Sequence, residues 1–416
     1  MRVDTRQTLD NKIKKILIEA FAIRMVMLIV IFSMQEHMED GFIGTSTYYD
    51  DYRYELGAET YAKTANSLID VAAFTQSYAK VDDWVGYKLA SPFNSTPFWY
   101  WFACIILYVF RTKWVLRFIN IVFAVTAILY VYRFVMLIYG ERTALRTAKL
   151  LAFLPYPLIF SCFSYKDQLV MLITFFLLYK AAKYRKTNIL SLKELIAMLV
   201  LALILMLTRS GLSIILFFCC VIIAFVNDYN FLSHIRKRLF IFAPLVLAVI
   251  IILFYRYGGT IIYKLTYYLN RHEETLTGLT LAFLTINSIF DIYKFPFTYI
   301  FSNIMPIDMF SGLGSWYLVV SNLNIIMCPI SIGAALYIFR KKPDNIVFWA
   351  CFMLYAVSIV TSINIFRHYY SLLPVTLIAF SDFSVTSSRN TKRIYYLVSF
   401  VFVFVLLIFY GFVRGN

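Results

Sequence analysis

The feature that most limits how this chain can fold is an alternation of apolar runs approaching 20 residues with short basic clusters. A run of that length, helical at about 1.5 Å per residue, matches the roughly 30 Å hydrocarbon core of a bilayer. The pattern recurs too often for soluble cores to hide: 61% of the 416 residues are hydrophobic and 15% charged, against about 45–50% and 25% in globular chains. The sequence therefore predicts an all-α polytopic membrane protein. A net charge of +16 in a soluble chain would point to nucleic acid. Here the cations sit between apolar runs, where they orient helices, and no nucleic-acid partner is expected.

Read as spans, the runs give about eleven helices, near residues 16 to 34, 115 to 138, 143 to 162, 167 to 183, 190 to 208, 211 to 226, 237 to 256, 315 to 338, 345 to 363, 367 to 383 and 394 to 412. Two stretches fall outside the spans, 35 to 114 and 258 to 314, and are expected as large loops containing interfacial helices. The segment Phe98 to Phe110 is apolar but only about 13 residues long, short of the roughly 17 needed to cross. If it lies flat, the clusters Arg142/Arg146/Lys149, Lys180/Lys183/Arg185/Lys186, Arg236/Lys237/Arg238, Arg340/Lys341/Lys342 and Arg389/Lys392/Arg393 all share the side of the basic amino terminus. That is the positive-inside arrangement. Both large loops then face outward, and Trp99, Tyr100 and Trp101 suit an interfacial helix. The first run is too long for a signal core and no small-residue cleavage site follows it, so it is expected to stay as a first helix. With no internal repeat or low-complexity linker, 1 to 416 reads as one membrane-embedded domain: first helix 1 to 34, outer loop 35 to 114, helices 115 to 257, a second outer loop 258 to 314, and helices 315 to 416. The expected location is a bacterial cytoplasmic (inner) membrane, multi-pass, with the amino terminus inside.

The six cysteines lie inside apolar segments without CxxC spacing, and the four histidines are scattered. Disulfide and zinc readings gain no support. No Gly-rich phosphate loop, GxSxG or HExxH occurs.

Chemistry is expected on the outer side. In Tyr48-Tyr49-Asp50-Asp51-Tyr52-Arg53-Tyr54-Glu55 two adjacent carboxylates follow the first helix. Neighbouring residues point in different directions, so one of Asp50 and Asp51 aims at any given substrate as a general base; a solvated loop, or an Asp–Arg53 pair holding it, is the plainer alternative. Lys166-Asp167 sits where two helices meet, and Asp there also serves as an ordinary helix start. Arg209 and Arg367 are cations at outer helix ends, where reaching lipid phosphate is the default. Together they set carboxylates from two loops beside cations from two distant helices. No nucleotide sugar or ATP is supplied outside a cell, so a transferase there needs a membrane-delivered, lipid-phosphate-linked sugar. A cation then holds the leaving phosphate while a carboxylate deprotonates the acceptor hydroxyl.

These residues, in this order, resemble the GT-C superfamily of integral membrane glycosyltransferases, in the branch that includes protein mannosyltransferases and the aminoarabinose transferase of lipid A. Asp50-Asp51 is similar to the acidic motif of that family's first outer loop. Pro97 through Phe110, leading to Arg117-Phe-Ile-Asn120, is similar to its juxtamembrane helix and second span. Gly140 to Pro155 with Ser164-Tyr-Lys-Asp167 resembles the third span and second acidic motif, and Arg367-His-Tyr-Tyr-Ser-Leu-Leu-Pro374 a late Arg-Tyr-then-Pro motif. The resemblance runs over roughly residues 10 to 385. It implies that Asp50 or Asp51 is catalytic and that Asp167 supports acceptor or base. It also implies that Lys88, Arg111, Lys113 or Arg117 meets the donor phosphate beside Arg209 and Arg367. Lys166, His368 and Tyr369 are the candidates for acceptor contact. Asp-Asp stands where many relatives have Asp-Glu, so either carboxylate is open as base. No metal ligands are assigned and no cofactor is expected: the sequence shows no separate carboxylate cluster for a cation, and a divalent metal is left open.

The leading expectation is an inverting glycosyltransferase that moves one sugar from a polyprenyl-phosphate donor to a cell-surface glycan, or to a lipid-linked glycan, of O-antigen or capsule type. Second is a repeat-unit polymerase for the same kinds of polysaccharide. Third is a lipid or glycan transporter or flippase, disfavoured because the charges gather at one surface rather than at a midplane.

Overall fold

A computed structural model describes residues 2–36, 50–73, 97–225, 293–295, 298–299, 323–340, 346–361 and 370–414. Among the described residues the regular elements are all helical, with no strand, as the apolar runs predict. The helices are α1 (Arg2–Glu36), α2 (Asp50–Thr64), α3 (Leu68–Ala73), α4 (Pro97–Phe110), α5 (Lys113–Tyr139), α6 (Glu141–Phe153), α7 (Pro155–Phe160) and α8 (Asp167–Thr187). They continue as α9 (Leu192–Thr208), α10 (Ser210–Phe225), α11 (Met327–Arg340), α12 (Ile346–Thr361), α13 (Leu373–Thr386) and α14 (Arg389–Arg414). The expected span at 237 to 256, most of the second outer loop, and the ends of several later spans lie outside the described residues.

Two described stretches, Asn11–Ser33 in α1 and Lys113–Tyr139, are long and apolar enough to cross a membrane. The other described helices at expected spans are shorter or more charged, so the expected count of eleven is not reproduced by helix length alone. Three of them, α9, α10 and α14, carry outward-facing apolar surface. On α9, Leu192, Ile196, Leu199 and Leu203 are exposed; on α10, Phe217 and Phe218; on α14, Leu397, Phe400, Val401, Phe404 and Val405. Exposed apolar surface of that extent is disfavoured in water and suits a lipid or protein environment.

Helix α5 is central, packed along α8 and α6, with α1 beside it. Its start is set by Thr112, whose hydroxyl accepts from the Trp114 backbone N–H, satisfying one of the amides a helix start leaves open. Gly140, at φ 83°, makes the left-handed turn into α6, a conformation costly for any residue with a Cβ. At α9, Ser191 and Glu194 form a reciprocal capping box, and Glu194 also takes Lys180 and Lys183 from α8 at 2.6 and 2.9 Å. Elsewhere α11 lies close against α13: a Cβ on Gly333 would meet the Phe380 ring at 2.7 Å.

One expected span is corrected. Residues 143 to 162 do not form a single helix. Helix α6 stops at Phe153, Leu154 is extended (φ −60°, ψ 134°), and α7 restarts with Pro155 in its first turn. Proline has no N–H to donate and clashes with the preceding turn, so an uninterrupted helix is not available through 155.

The helix expected at 98 to 110 forms, as α4, and packs on α2, α3, α5 and α9. Trp99, expected at a membrane interface, is instead fully buried, since the α4 face carrying Trp99, Ala103 and Leu107 turns inward.

Candidate functional site

The site is organised by a turn that is buried without being helical. Between α7 and α8, Ser161 to Tyr165 are all buried, so their backbone groups need protein partners. Side chains from two other helices supply them. Asn120 of α5 donates through Nδ2 to the carbonyls of both Phe163 and Tyr165, and Trp99 of α4 donates to the Ser164 carbonyl at 3.2 Å. Three successive carbonyls are thereby held in place. The Asn120 Oδ1 has no partner among the described residues.

The same turn is tied to α2. Arg117, one helical turn before Asn120 on α5, donates to both oxygens of Glu55 at 2.6 and 2.8 Å. The Ser164 hydroxyl donates to the Glu55 Oε1. Both charged side chains are 5% exposed, and the guanidinium lies over the rings of Phe32 from α1 and Phe163 from the turn. Burial pushes the Glu55 carboxyl up, but the charge and hydrogen bonds of Arg117, with Ser164, outweigh it and hold the group below its ordinary value. A bidentate, fully desolvated pair of this kind fixes geometry strongly.

On the other side of the turn, Asp167 opens α8 and takes Arg209, the residue between α9 and α10, at 3.3 Å. Arg209 also donates to the Ser371 hydroxyl at 3.2 Å. Next to Asp167, Gln168 bonds the Tyr370 hydroxyl at 3.0 Å. Aromatic rings line this region: Phe160 stacks on Tyr165 with centroids 4.2 Å apart and meets Tyr370 edge-on at 4.8 Å, while Tyr156 lies 5.5 Å from Tyr370.

The candidate residues are distributed as follows. Asp167 and Arg209 are brought together. Arg111, Lys113 and Arg117 do stand close in chain at the start of α5, yet each is engaged by α2: Arg111 donates to the Ala62 carbonyl at 3.2 Å, Lys113 meets Glu59 at 3.1 Å, and Arg117 is buried on Glu55. Arg117, expected at the donor phosphate, has its Nε and Nη2 on Glu55 and its side chain 5% exposed between α2 and α5. Lys166 is half-buried just ahead of α8. Asp50 and Asp51 begin α2, with side chains outside the described set; Lys88, Arg367, His368 and Tyr369 also lie outside it. Among the described residues no three His, Cys, Asp or Glu side chains group as metal ligands.

From the sequence, Glu55, Ser164 and Arg24 received no role, although Glu55 and Ser164 lie within the two acidic stretches singled out there. The available signal was an arginine inside each of two apolar runs, Arg24 and Arg117, since an intramembrane cation demands a partner. Chemically the arrangement places one carboxylate–cation pair, Asp167 with Arg209, at the edge of an aromatic-lined region, and fastens the helix that begins with Asp50-Asp51 to the turn that ends at Asp167. No protein-family model matches the chain, and no curated protein matches it.

Proposed function

We propose that this chain is a multi-pass membrane glycosyltransferase that transfers a sugar from a polyprenyl-phosphate donor to a cell-surface glycan on the extracytoplasmic side. The observation that carries the reading is the buried Glu55–Arg117–Ser164 junction. It joins, across 109 residues of sequence, the helix opened by one acidic motif to the turn that delivers the other. Asp167, at the end of that turn, already faces a cation from α9 and α10. Two carboxylate motifs on one rigid frame beside a cation are what acceptor activation and leaving-group binding require.

In the reaction, the acceptor hydroxyl oxygen attacks the anomeric carbon as its proton passes to Asp50 or Asp51. A new glycosidic C–O bond forms, the anomeric carbon–phosphate oxygen bond breaks, and polyprenyl phosphate departs with the electron pair. The configuration at the anomeric carbon inverts. In this reading Arg209 takes the phosphate charge, at the expense of its contact with Asp167. The exposed apolar faces of α9, α10 and α14 support a membrane setting, and the basic clusters support an inside amino terminus.

Two measurements test this. Single cysteines introduced in 139 to 149 should be shielded from an impermeant thiol reagent added outside intact cells, while those in 258 to 314 label; labelling of the first set from outside overturns the orientation. The surface glycan of cells with and without the gene should differ by one sugar per repeat at unchanged polymer length. Collapse to single repeat units would favour a polymerase, and an unaltered glycan would remove both.

A further inference from the structure

We infer that Arg24 is a positioning residue: it spans the broken helix between α6 and α7 and thereby sets the turn from which Asp167 emerges. This rests on the reading of that turn as part of the site. Pro155 has no N–H, so the Leu151 carbonyl loses the donor that a continuous helix would provide. The Ala152 carbonyl, one residue on, meets the same break. The last α6 bond runs from the Leu154 N–H to the Leu150 carbonyl. Arg24 of α1, 1% exposed, fills both places: Nη2 donates to the Leu151 carbonyl at 3.2 Å and Nη1 to the Ala152 carbonyl at 2.9 Å.

The same guanidinium reaches the far end of α7. Its Nε donates to the Ser161 hydroxyl at 3.0 Å, and Ser161 is the residue that ends α7. One planar fork therefore holds the entry and the exit of a six-residue helix. The contact is reciprocated, since the Cys162 thiol donates to the Arg24 carbonyl at 3.5 Å. Charge agrees with geometry: a cation over the last carbonyls of α6 sits at the negative end of that helix's dipole. Its partners are the Ala20, Leu151 and Ala152 carbonyls and the Ser161 hydroxyl, so it neutralises no acid among the described residues. Only a guanidinium has donors spread widely enough for these partners; an ammonium is a single point.

The experiment uses the full chain in membranes, with alkylation of Cys162 by a permeant maleimide followed by peptide mass spectrometry. Cys219, on α10 and bonded to the Ala350 carbonyl, serves as the internal reference. In the native chain both buried thiols should react slowly. Arg24→Ala should speed Cys162 labelling by about tenfold or more with Cys219 unchanged, and Arg24→Lys, which keeps the charge and favours accumulation, should label nearly as fast. Protection of Cys162 in Arg24→Ala overturns the proposal. So does full protection in Arg24→Lys, which would show that a point charge suffices, and so does equal opening of both thiols, which would mean general unfolding. Faster Cys162 labelling with an unchanged surface glycan would leave the positioning role standing and sink the transferase reading of the turn.

Discussion

Arg117→Ala is expected to cost about 3–5 kcal/mol, because removing one partner of a buried ion pair strands the other charge out of water. Against total stabilities of about 5–15 kcal/mol, little folded protein should remain in the membrane. The stranded group would be Glu55, 5% exposed and also bonded to Ser164. Replacing both partners by apolar residues of similar size, Glu55→Leu with Arg117→Met, should recover much of the loss, since no uncompensated charge remains. The sign with pH follows from the carboxyl being held below its ordinary 4.5. Its contribution is complete above that value and is lost as pH falls through the lower folded-state value. Acid unfolding in detergent, followed through the emission of Trp99, which bonds the adjacent Ser164 carbonyl, should therefore be steep in the native chain. It should be flatter in the double variant. If the double variant is no more stable than Arg117→Ala alone, the pair does not hold this junction.

Converting Asp50 and Asp51 together to Asn is expected to lower transfer by about 10² to 10⁴, the usual loss when a general base is removed, with protein abundance close to native. The magnitudes separate this from the plainer role. Both residues begin α2, where a negative charge favours the helix by only about 0.3–1 kcal/mol, a loss the bundle should tolerate. The helix itself is anchored about a turn further on by Glu55, so its place does not depend on the two aspartates. Single variants should then show which of the two accepts the proton. Undiminished transfer in the double Asn variant would move the base to Asp167, which pairs with Arg209; loss of protein along with activity would leave only the helix-start role.

Much of the fold is legible locally. Apolar runs longer than any soluble helix needs predict helices over 16 to 34 and 115 to 138, and α1 and α5 cover them. The start of α9 also carries a local signal that the apolar runs alone do not show, Ser191 followed three residues later by Glu194, since a capping box is written entirely within four residues. Pro155 carried the signal for the break in the expected 143 to 162 span, yet an unbroken apolar composition hides a missing N–H. Counting spans by composition also assumes that each run is one straight helix, which the α6–α7 break contradicts.

What the sequence by itself determined is the helical class, the starts of α4, α5, α6, α8, α9, α10 and α12, and which residues stand out as charged within apolar surroundings. Only the tertiary structure decided whom those charges meet: Arg117 takes Glu55 from 62 residues away, and Arg24 takes carbonyls at 151 and 152. It likewise turned Trp99 from an expected interface residue into a buried donor to Ser164. The reason is physical. Periodicity, caps and breakers act over one or two helical turns and are recorded in neighbouring residues, whereas an ion pair or a bond to a freed carbonyl depends on how distant helices pack, which no short stretch of chain encodes.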